Sequence, residues 1–223
     1  MTKYMISDTE TAGLDGGVCD IGVRQIDEAL NILWENESLV DPQRPISPSA
    51  SGIHHIVDAD VWDKPTLAEW SEMHGHPFTD DDLVIIGHNI RFDERMLAEL
   101  MPVRYRRICT LKLSRMAFPE LDDHKLQTIR YSFNLTAGTA HRALGDVITC
   151  HSFLPILMEK LETDMAGLVA LSHKPMDPDT PISFGKHKGT PLKALPKQYV
   201  NWLLDPERKL DPDLHDALVA IFR

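Results

Sequence analysis

The sequence predicts an α/β domain built on a mixed sheet, followed by a small second module. Three observations carry this. The first forty residues read as consecutive strands, the middle of the chain alternates strand-like and helix-like segments, and a proline-containing stretch at 172–181 precedes a final segment of different charge. The chain has 223 residues, 43% hydrophobic and 26% charged, which is enough to bury one ordinary core and append a small module.

Residues 3–7 read as a short strand ending at an acidic motif. Residues 17–26 and 32–40 read as two more, with Val18, Ile21, Val23 and Ile26 as apolar positions and Asp27, Glu28 and Asn31 as turn material. Residues 41–51, with Pro42, Pro45 and Pro48, read as a loop, and Pro65 marks the start of a helix over 67–73. The apolar run 83–86 predicts a buried strand, and 93–100 a helix with Met96, Leu97 and Leu100 at helical spacing. A short strand at 108–110 and helices at 112–118 and 125–131 follow. The longest helical pattern spans 140–161. Leu144, Ile148, Phe153, Ile156, Leu157 and Leu161 form its core face, and Pro155 weakens or kinks it. Residues 172–181 hold three prolines and two aspartates and read as a linker. The expected division is therefore 1–171, a linker over 172–181, and a module over 182–223 with Phe184, Leu192, Leu195, Tyr199, Val200, Trp202, Leu203 and Leu204 as its apolar positions.

A formal net charge of −11 argues against a broad nucleic-acid-binding surface. The average hides a split. Residues 182–223 hold seven Lys/Arg against five Asp/Glu, so the rest of the chain carries 16 basic and 29 acidic side chains out of totals of 23 and 34. Cys19, Cys109 and Cys150 show no paired or metal-ligand spacing, which predicts reduced thiols in a cytoplasmic protein. No secretory signal is expected from the opening residues, and the longest central apolar run, Leu83-Val84-Ile85-Ile86, is too short for a bilayer, so no membrane partner is expected. His74-Gly75-His76 lacks a third ligand nearby and reads as an exposed loop, while Gly185 and Gly189 lack the ending of a phosphate-binding loop.

Three motifs carry chemistry. In Asp8-Thr9-Glu10, carboxylates two apart on an extended chain face the same way; alone, such a pair also arises by chance. In His88-Asn89-Ile90-Arg91-Phe92-Asp93 a loop leaves a strand and enters a helix. Asn89 can hold the loop, Phe92 can anchor it in the core and Asp93 points outward, or Asp93 is only an N-cap. In His141-Arg142-Ala143-Leu144-Gly145-Asp146 the two ends lie five apart, about 500° around a helix. The histidine must then stand at or before the helix start, with Asp146 inside it; as an isolated pair the spacing is also compatible with coincidence. Together, Asp8, Glu10, Asp93 and Asp146 would repel without cations. Two divalent ions about 3.5–4 Å apart would relieve the repulsion and clamp both oxygens of a phosphoryl transfer. A histidine, with an ordinary pKa near 6.5, suits removal of a proton from water.

The order DTET, HNxxFD, HxAxxD resembles the DEDD exonuclease superfamily in its histidine-containing branch, over residues 1–161. Ile46-Ser47 and Ser51-Gly52-Ile53-His54-His55-Ile56 resemble that family's I-H-x-I loop. The layout is similar to the family's proofreading members, and the DTETAGL opening and C-terminal segment to its exonuclease X-like members. The resemblance implies an RNase H-like fold, a five-stranded mixed sheet flanked by helices. It implies 3′→5′ hydrolysis of DNA to nucleoside 5′-monophosphates with two Mg²⁺ ions, Mn²⁺ substituting. Asp8 would bridge both metals, Glu10 and Asp146 would hold the one that activates water, Asp93 would support the other, and His141 would be the general base. Thr9, Gly13 and Leu14 would line the pocket for the terminal nucleotide, Leu14 against the base. Ile53 and His54 would contact its sugar or base, and Asn89 and Phe92 would shape the substrate side. The implied partner is DNA with single- or double-stranded 3′ ends, with a polymerase or repair partner beyond it. RNA is the alternative substrate. A silent nucleic-acid-binding, polymerase-associated module is the alternative of another class, and the intact quintet speaks against it.

In the last segment, Phe184-Gly185-Lys186-His187-Lys188-Gly189-Thr190-Pro191 is basic and bracketed by glycines, with Lys193 and Lys197 after it and Tyr199 and Trp202 near. It reads either as a DNA-binding tail contacting phosphates through Lys186, Lys188, Lys193 and Lys197, or as a solvated turn over a small core of Phe184, Tyr199 and Trp202. The segment is similar to the small C-terminal domain of exonuclease X-like members.

Overall fold

A computed structural model describes residues 2–14, 16–101, 105–182, 184–208 and 210–223. Five strands, β1 (Lys3–Gly13), β2 (Gly16–Ile26), β3 (Ile32–Leu39), β4 (Leu83–Gly87) and β5 (Arg106–Cys109), form one sheet in the order β3-β2-β1-β4-β5. β1, β2 and β3 pair antiparallel, while β4 pairs parallel with β1 and β5 parallel with β4. β4 is buried along its whole length, as expected of a central parallel strand covered on both faces.

The helices are α1 (Pro48–His54), α2 (Asp58–Val61), α3 (Leu67–Met73), α4 (Arg91–Met96), α5 (Thr110–Ala117), α6 (Leu126–Ser132), α7 (Ala143–Lys160), α8 (Met165–His173), α9 (Lys197–Leu203) and α10 (Pro212–Phe222). On one face of the sheet, Leu113, Ile129, Phe153, Leu157 and Leu168 of α5 to α8 pack on Tyr4, Ile6, Val84 and Ile86. On the other, Trp70, Phe78 and Leu97 pack on Met5, Ile21, Val23, Leu83 and Ile85. Among the described residues no helix is long and apolar enough to cross a membrane. The three cysteines are buried and not joined to one another in disulfides.

Several elements differ from expectation, each for a physical reason. β1 does not stop at Ser7. Asp8, Thr9 and Glu10 stay in register with Gly22, Ile21 and Asp20 of β2, and the ladder carries the acidic motif within the strand. The loop expected over 41–51 gives way to α1 at Pro48. Proline costs nothing in the first turn, where its missing N–H has no helical acceptor, and Ser47 caps the end by accepting from the Ala50 N–H. Pro65 precedes the true cap of α3, Thr66, which forms a capping box with Glu69. α4 begins at Arg91, so Asp93 lies inside the first turn and is not an N-cap. The loop is anchored in the core by Ile90, fully buried, rather than by the half-buried Phe92. β5 ends at Cys109, and Thr110 opens α5.

The buried face of α7 is Val147, Cys150, Phe153, Leu154 and Leu157; Leu144, Ile148, Ile156 and Leu161 flank it. Pro155 sits on its exposed side within a continuous helix. His74 caps α3, its Nδ1 lying 2.7 Å from the Trp70 carbonyl oxygen and its ring against Trp34 and Trp70. His74 is thus a half-buried cap, while Gly75 and His76 are exposed outside the helix as the loop reading expects.

The chain forms two compact units, 1–172 and 173–223. α8, unanticipated from the sequence, takes up the first residues read as linker. The last of those residues belong to the second unit: the Leu192 N–H donates to Thr180, the Lys193 N–H to Pro178, and Pro181 bridges to Pro191. Ile182, Leu192, Leu195, Tyr199, Val200, Leu203, Leu204, Leu214, Ala217 and Leu218 form that unit's core. Phe184 and Trp202, core residues in one of the two readings of this segment, are 42% and 47% exposed.

Candidate active site

Side chains alternate along β1. Tyr4 and Ile6 face α7, and Asp8 and Glu10 continue that row beyond the hydrophobic core. Opposite Asp8 on β2 stands Gly22, where a Cβ would strike the backbone of Ala143 and Leu144. The bare glycine lets the first turn of α7 lie flush on the sheet and brings Asp146 to the carboxylates of β1. Asp146 Oδ1 accepts from Gln127 Nε2 at 2.8 Å. His141 stands just outside the helix in the left-handed conformation, φ 57°, exposed to solvent. One ligand atom each of Glu10, His141 and Asp146 lies within 4.8 Å of the others.

Asp93 arrives from the other motif. β4 runs parallel to β1, and Gly87, where a Cβ would come within 3.0 Å of the Ser7 carbonyl, lets the chain turn tightly over β1. Asn89 takes the left-handed conformation, φ 64°, and exposes its side chain. Asp93 Oδ1 then accepts from the Thr9 backbone N–H at 2.9 Å and the Thr9 hydroxyl at 2.7 Å. Thr9 was expected in the nucleotide pocket. It is buried and committed to holding Asp93.

The electrostatics of the cluster are one-sided. Burial, then the charges of Asp93, Asp146 and Glu10, push Asp8 well above the usual carboxylate range. Glu10 rises from 4.5 to about 7 through burial, Asp146, Asp20 and Asp93, with Arg142 opposing. Asp93 rises from 3.8 to about 7 through burial, against the Thr9 hydrogen bonds. Asp146 rises through burial, with His141, Gln127 and Arg130 opposing. Carboxylates that hold their protons for want of positive charge, offering only oxygen donors, are the donor set that a hard divalent cation fits.

Two further groups shape the site. Asp20, fully buried on β2 opposite Glu10, accepts from Arg142 Nε at 2.8 Å and from the Ala143 backbone N–H at 3.2 Å through Oδ2. Its Oδ1 has no hydrogen-bond partner among the described residues. A strand carboxylate thus caps the helix that carries Asp146, and Arg142 links it to Glu37 of β3 at 3.5 Å. An acid inside the apolar run Val18-Cys19-Asp20-Ile21 was the available signal for Asp20; Gln127 had none.

The remaining pocket residues divide. Gly13 ends β1 beside Ser47, while Leu14 and Ile53 are 66% and 54% exposed. His54 is 3% exposed. Its Nδ1 accepts from the Ile56 N–H at 3.1 Å, which leaves Nε2–H to donate to the Thr11 carbonyl oxygen at 3.2 Å. His54, expected to contact the terminal nucleotide, is thus buried behind β1 and engaged with the backbone of Thr11 and Ile56. Lys186, Lys188, Lys193 and Lys197 belong to the second unit, where Lys193 pairs with Asp179 at 2.6 Å.

Residues 5–152 match the exonuclease family RNase_T. The chain is 31% identical over 229 residues to Exodeoxyribonuclease 10 of Escherichia coli K12, covering 96% of each. It is 30% identical over 154 residues to the DNA polymerase III subunit epsilon of Treponema pallidum, covering 64% of this chain and 70% of that one. A solved structure of exonuclease X in complex with 5′-overhanging duplex DNA superposes with a TM-score of 0.63 at 28% identity, over 76% of this chain and 99% of that one. Exonuclease I of E. coli with a dT13 oligonucleotide shares the fold, with a TM-score of 0.65 at 17% identity over 73% of this chain and 42% of that one. The sheet described above is the RNase H-like sheet of these exonucleases. With all three acidic motifs inside the matched stretch, the chain belongs to the RNase_T exonuclease family.

Proposed function

We propose that this exonuclease removes nucleotides from the 3′ end of DNA and releases nucleoside 5′-monophosphates, using two Mg²⁺ ions that Mn²⁺ can replace. The observation that carries the proposal is the convergence of Asp8, Glu10, Asp93 and Asp146 with their protons held high. Asp8 would serve both ions, Glu10 and Asp146 one, and Asp93 the other. Divalent cations held there would offset the carboxylate charge and stabilise the oxygens on which charge gathers as the phosphodiester is cleaved.

The chain's own residues do the rest. His141, exposed beside Glu10 and Asp146, takes a proton from the attacking water. Water adds to phosphorus as the bond to the 3′ oxygen breaks, and that oxygen leaves with a proton as the new 3′ hydroxyl. Thr9 holds Asp93 and Gln127 holds Asp146, so both carboxylates are oriented before substrate arrives. The exposed Leu14 and Ile53 would receive the terminal nucleotide beside Gly13, with Asn89 and Phe92 on the side of Asp93; His54 stiffens the wall through Thr11.

DNA is favoured over RNA because one relative is an exodeoxyribonuclease and a structural neighbour was solved with duplex DNA. The epsilon relative supports an association with DNA synthesis or repair. Buried thiols suit a reducing, cytoplasmic setting. Digestion of 5′-labelled DNA and RNA of equal length tests the proposal. Wild type with Mg²⁺ is expected to shorten DNA from the 3′ end, and neither Asp8→Ala nor wild type in EDTA should do so. Undiminished cleavage in EDTA overturns the metal reading, and faster digestion of RNA overturns the choice of DNA.

A further inference from the structure

Taken by itself, the second unit carries an ordered column of aromatic and cationic side chains. The Ile182 N–H donates to Thr190 at 2.9 Å and the Gly189 N–H to Ile182 at 2.8 Å, which closes a tight loop displaying Lys186 and Lys188, while His187 packs its half-buried ring on Tyr199 with centroids 4.5 Å apart. Gly185, at φ 70°, lies against the Tyr199 hydroxyl, where a Cβ would collide. The missing side chain seats the loop on α9. Lys186 Nζ stands 5.5 Å from the centre of the Tyr199 ring. Tyr199 stacks on Trp202 with centroids 5.5 Å apart and planes 17° apart. The Arg208 guanidinium lies over the other end, 3.5 Å from the Trp202 centroid. Lys186, Tyr199, Trp202 and Arg208 therefore form a cation–ring–ring–cation column. Its Trp202–Arg208 end faces solvent, as does Phe184 on the same loop as the lysines.

We propose that this column binds single-stranded nucleic acid, with backbone phosphates on Lys186 and Lys188 and bases stacked at the Trp202–Arg208 end and on Phe184. Planar groups interleaved with fixed cations match a polyanion whose bases offer free faces. In a duplex those faces are already stacked, and an acidic peptide would use the cations but not the rings. The segment 182–223 also has a basic excess in a chain of net charge −11. The inference rests on the nucleic-acid substrate proposed above, but it is read without catalysis, so the two can fail separately.

The test is fluorescence anisotropy of a labelled oligothymidylate with the full chain in EDTA, across a salt series. Loss of the ring that backs the Arg208 guanidinium in Trp202→Ala should weaken binding about 5- to 150-fold, and Trp202→Phe should keep most of the affinity. Replacing both lysines, Lys186→Gln with Lys188→Gln, should lower the slope of log affinity against log salt by about 1.4, two contacts at ~0.7 each. Hydrolysis of a dinucleotide in Mg²⁺ should stay at the wild-type rate in Trp202→Ala. Wild-type affinity and slope in these variants would overturn the proposal. So would equal binding of blunt duplex, or competition by polyglutamate as effective as unlabelled oligothymidylate.

Discussion

Asp93→Asn isolates the electrostatic cost of the acidic cluster. The amide oxygen keeps both Thr9 hydrogen bonds to Asp93 Oδ1, so the substitution removes one ionisable group together with the upward push its charge gives Asp8 and Glu10. Asp93 is 3% exposed and its carboxyl rises from 3.8 to about 7. A raised folded value favours folding while the group is protonated. That contribution is complete below the unfolded value near 4 and is lost as pH climbs through the folded value near 7. At ~1.4 kcal/mol per pKa unit, the metal-free wild type should lose about 4 kcal/mol relative to Asp93→Asn across that window. In a chain of this size that corresponds to roughly 8–16 °C in Tm.

His54, His88, His124 and His151 act in the opposite sense. Burial holds each below the ordinary value, His88 at about 4, so their contribution is lost as pH falls. They are common to both proteins and drop out of the difference. Thermal melts of wild type and variant in EDTA at pH 4, 5, 6, 7 and 8 should therefore start close together and diverge, the variant melting higher at pH 8. Excess Mg²⁺ should reverse the order, since binding stabilises only the protein with its ligands intact. A difference in EDTA that does not grow with pH, or an Asp93→Asn that melts lower than wild type at pH 8, would refute the reasoning.

Three other variants probe the supports of the site. His141→Ala should lower kcat by about 10²- to 10⁴-fold with substrate affinity largely kept; kcat measured against pH for both proteins checks this, and a wild-type kcat leaves His141 no part in proton transfer. Asp20→Ala removes the cap of α7 and both charge-assisted hydrogen bonds. Because Arg142 keeps 35% of its side chain in water, the expected cost is about 2–3 kcal/mol, below the ~3–5 for breaking a fully buried pair. Urea denaturation measures it, and kcat should fall more than KM rises as Asp146 loosens. Gly22→Ala places a methyl group against the backbone of Ala143 and Leu144, with the Ala143 carbonyl oxygen 2.7 Å away. Backbone cannot swing aside, so about 3 kcal/mol of overpacking and a loss of exonuclease rate should appear together. A stable Gly22→Ala with full activity would show that α7 need not lie flush on β2.

Local patterns made the strands and the acidic motifs legible. The apolar run at β4 reads as a buried strand because a strand covered on both faces has no polar alternation to display. His141 was placed outside the helix and Asp146 inside it by helical geometry alone, and α7 begins at Ala143 between them. Boundaries were less legible at local breakers: Pro48 starts a helix instead of extending a loop, and Pro155 lies on the exposed side of a continuous helix.

What the sequence by itself determined is the set of strands, the acidic motifs and the oxygen-donor chemistry they imply, because each is written in residues close together along the chain. Tertiary structure decided which groups serve those motifs. Thr9 meets Asp93 across 84 positions, Arg142 meets Asp20 across 122, and His54 turns inward to Thr11 across 43. It also decided that Phe184 and Trp202 face solvent while Ile182 and Leu218 fill the core of the second unit. Burial and pairing are properties of the surfaces that meet. Periods of two or 3.6 residues say which way a side chain points within its own element, not what will be packed against it.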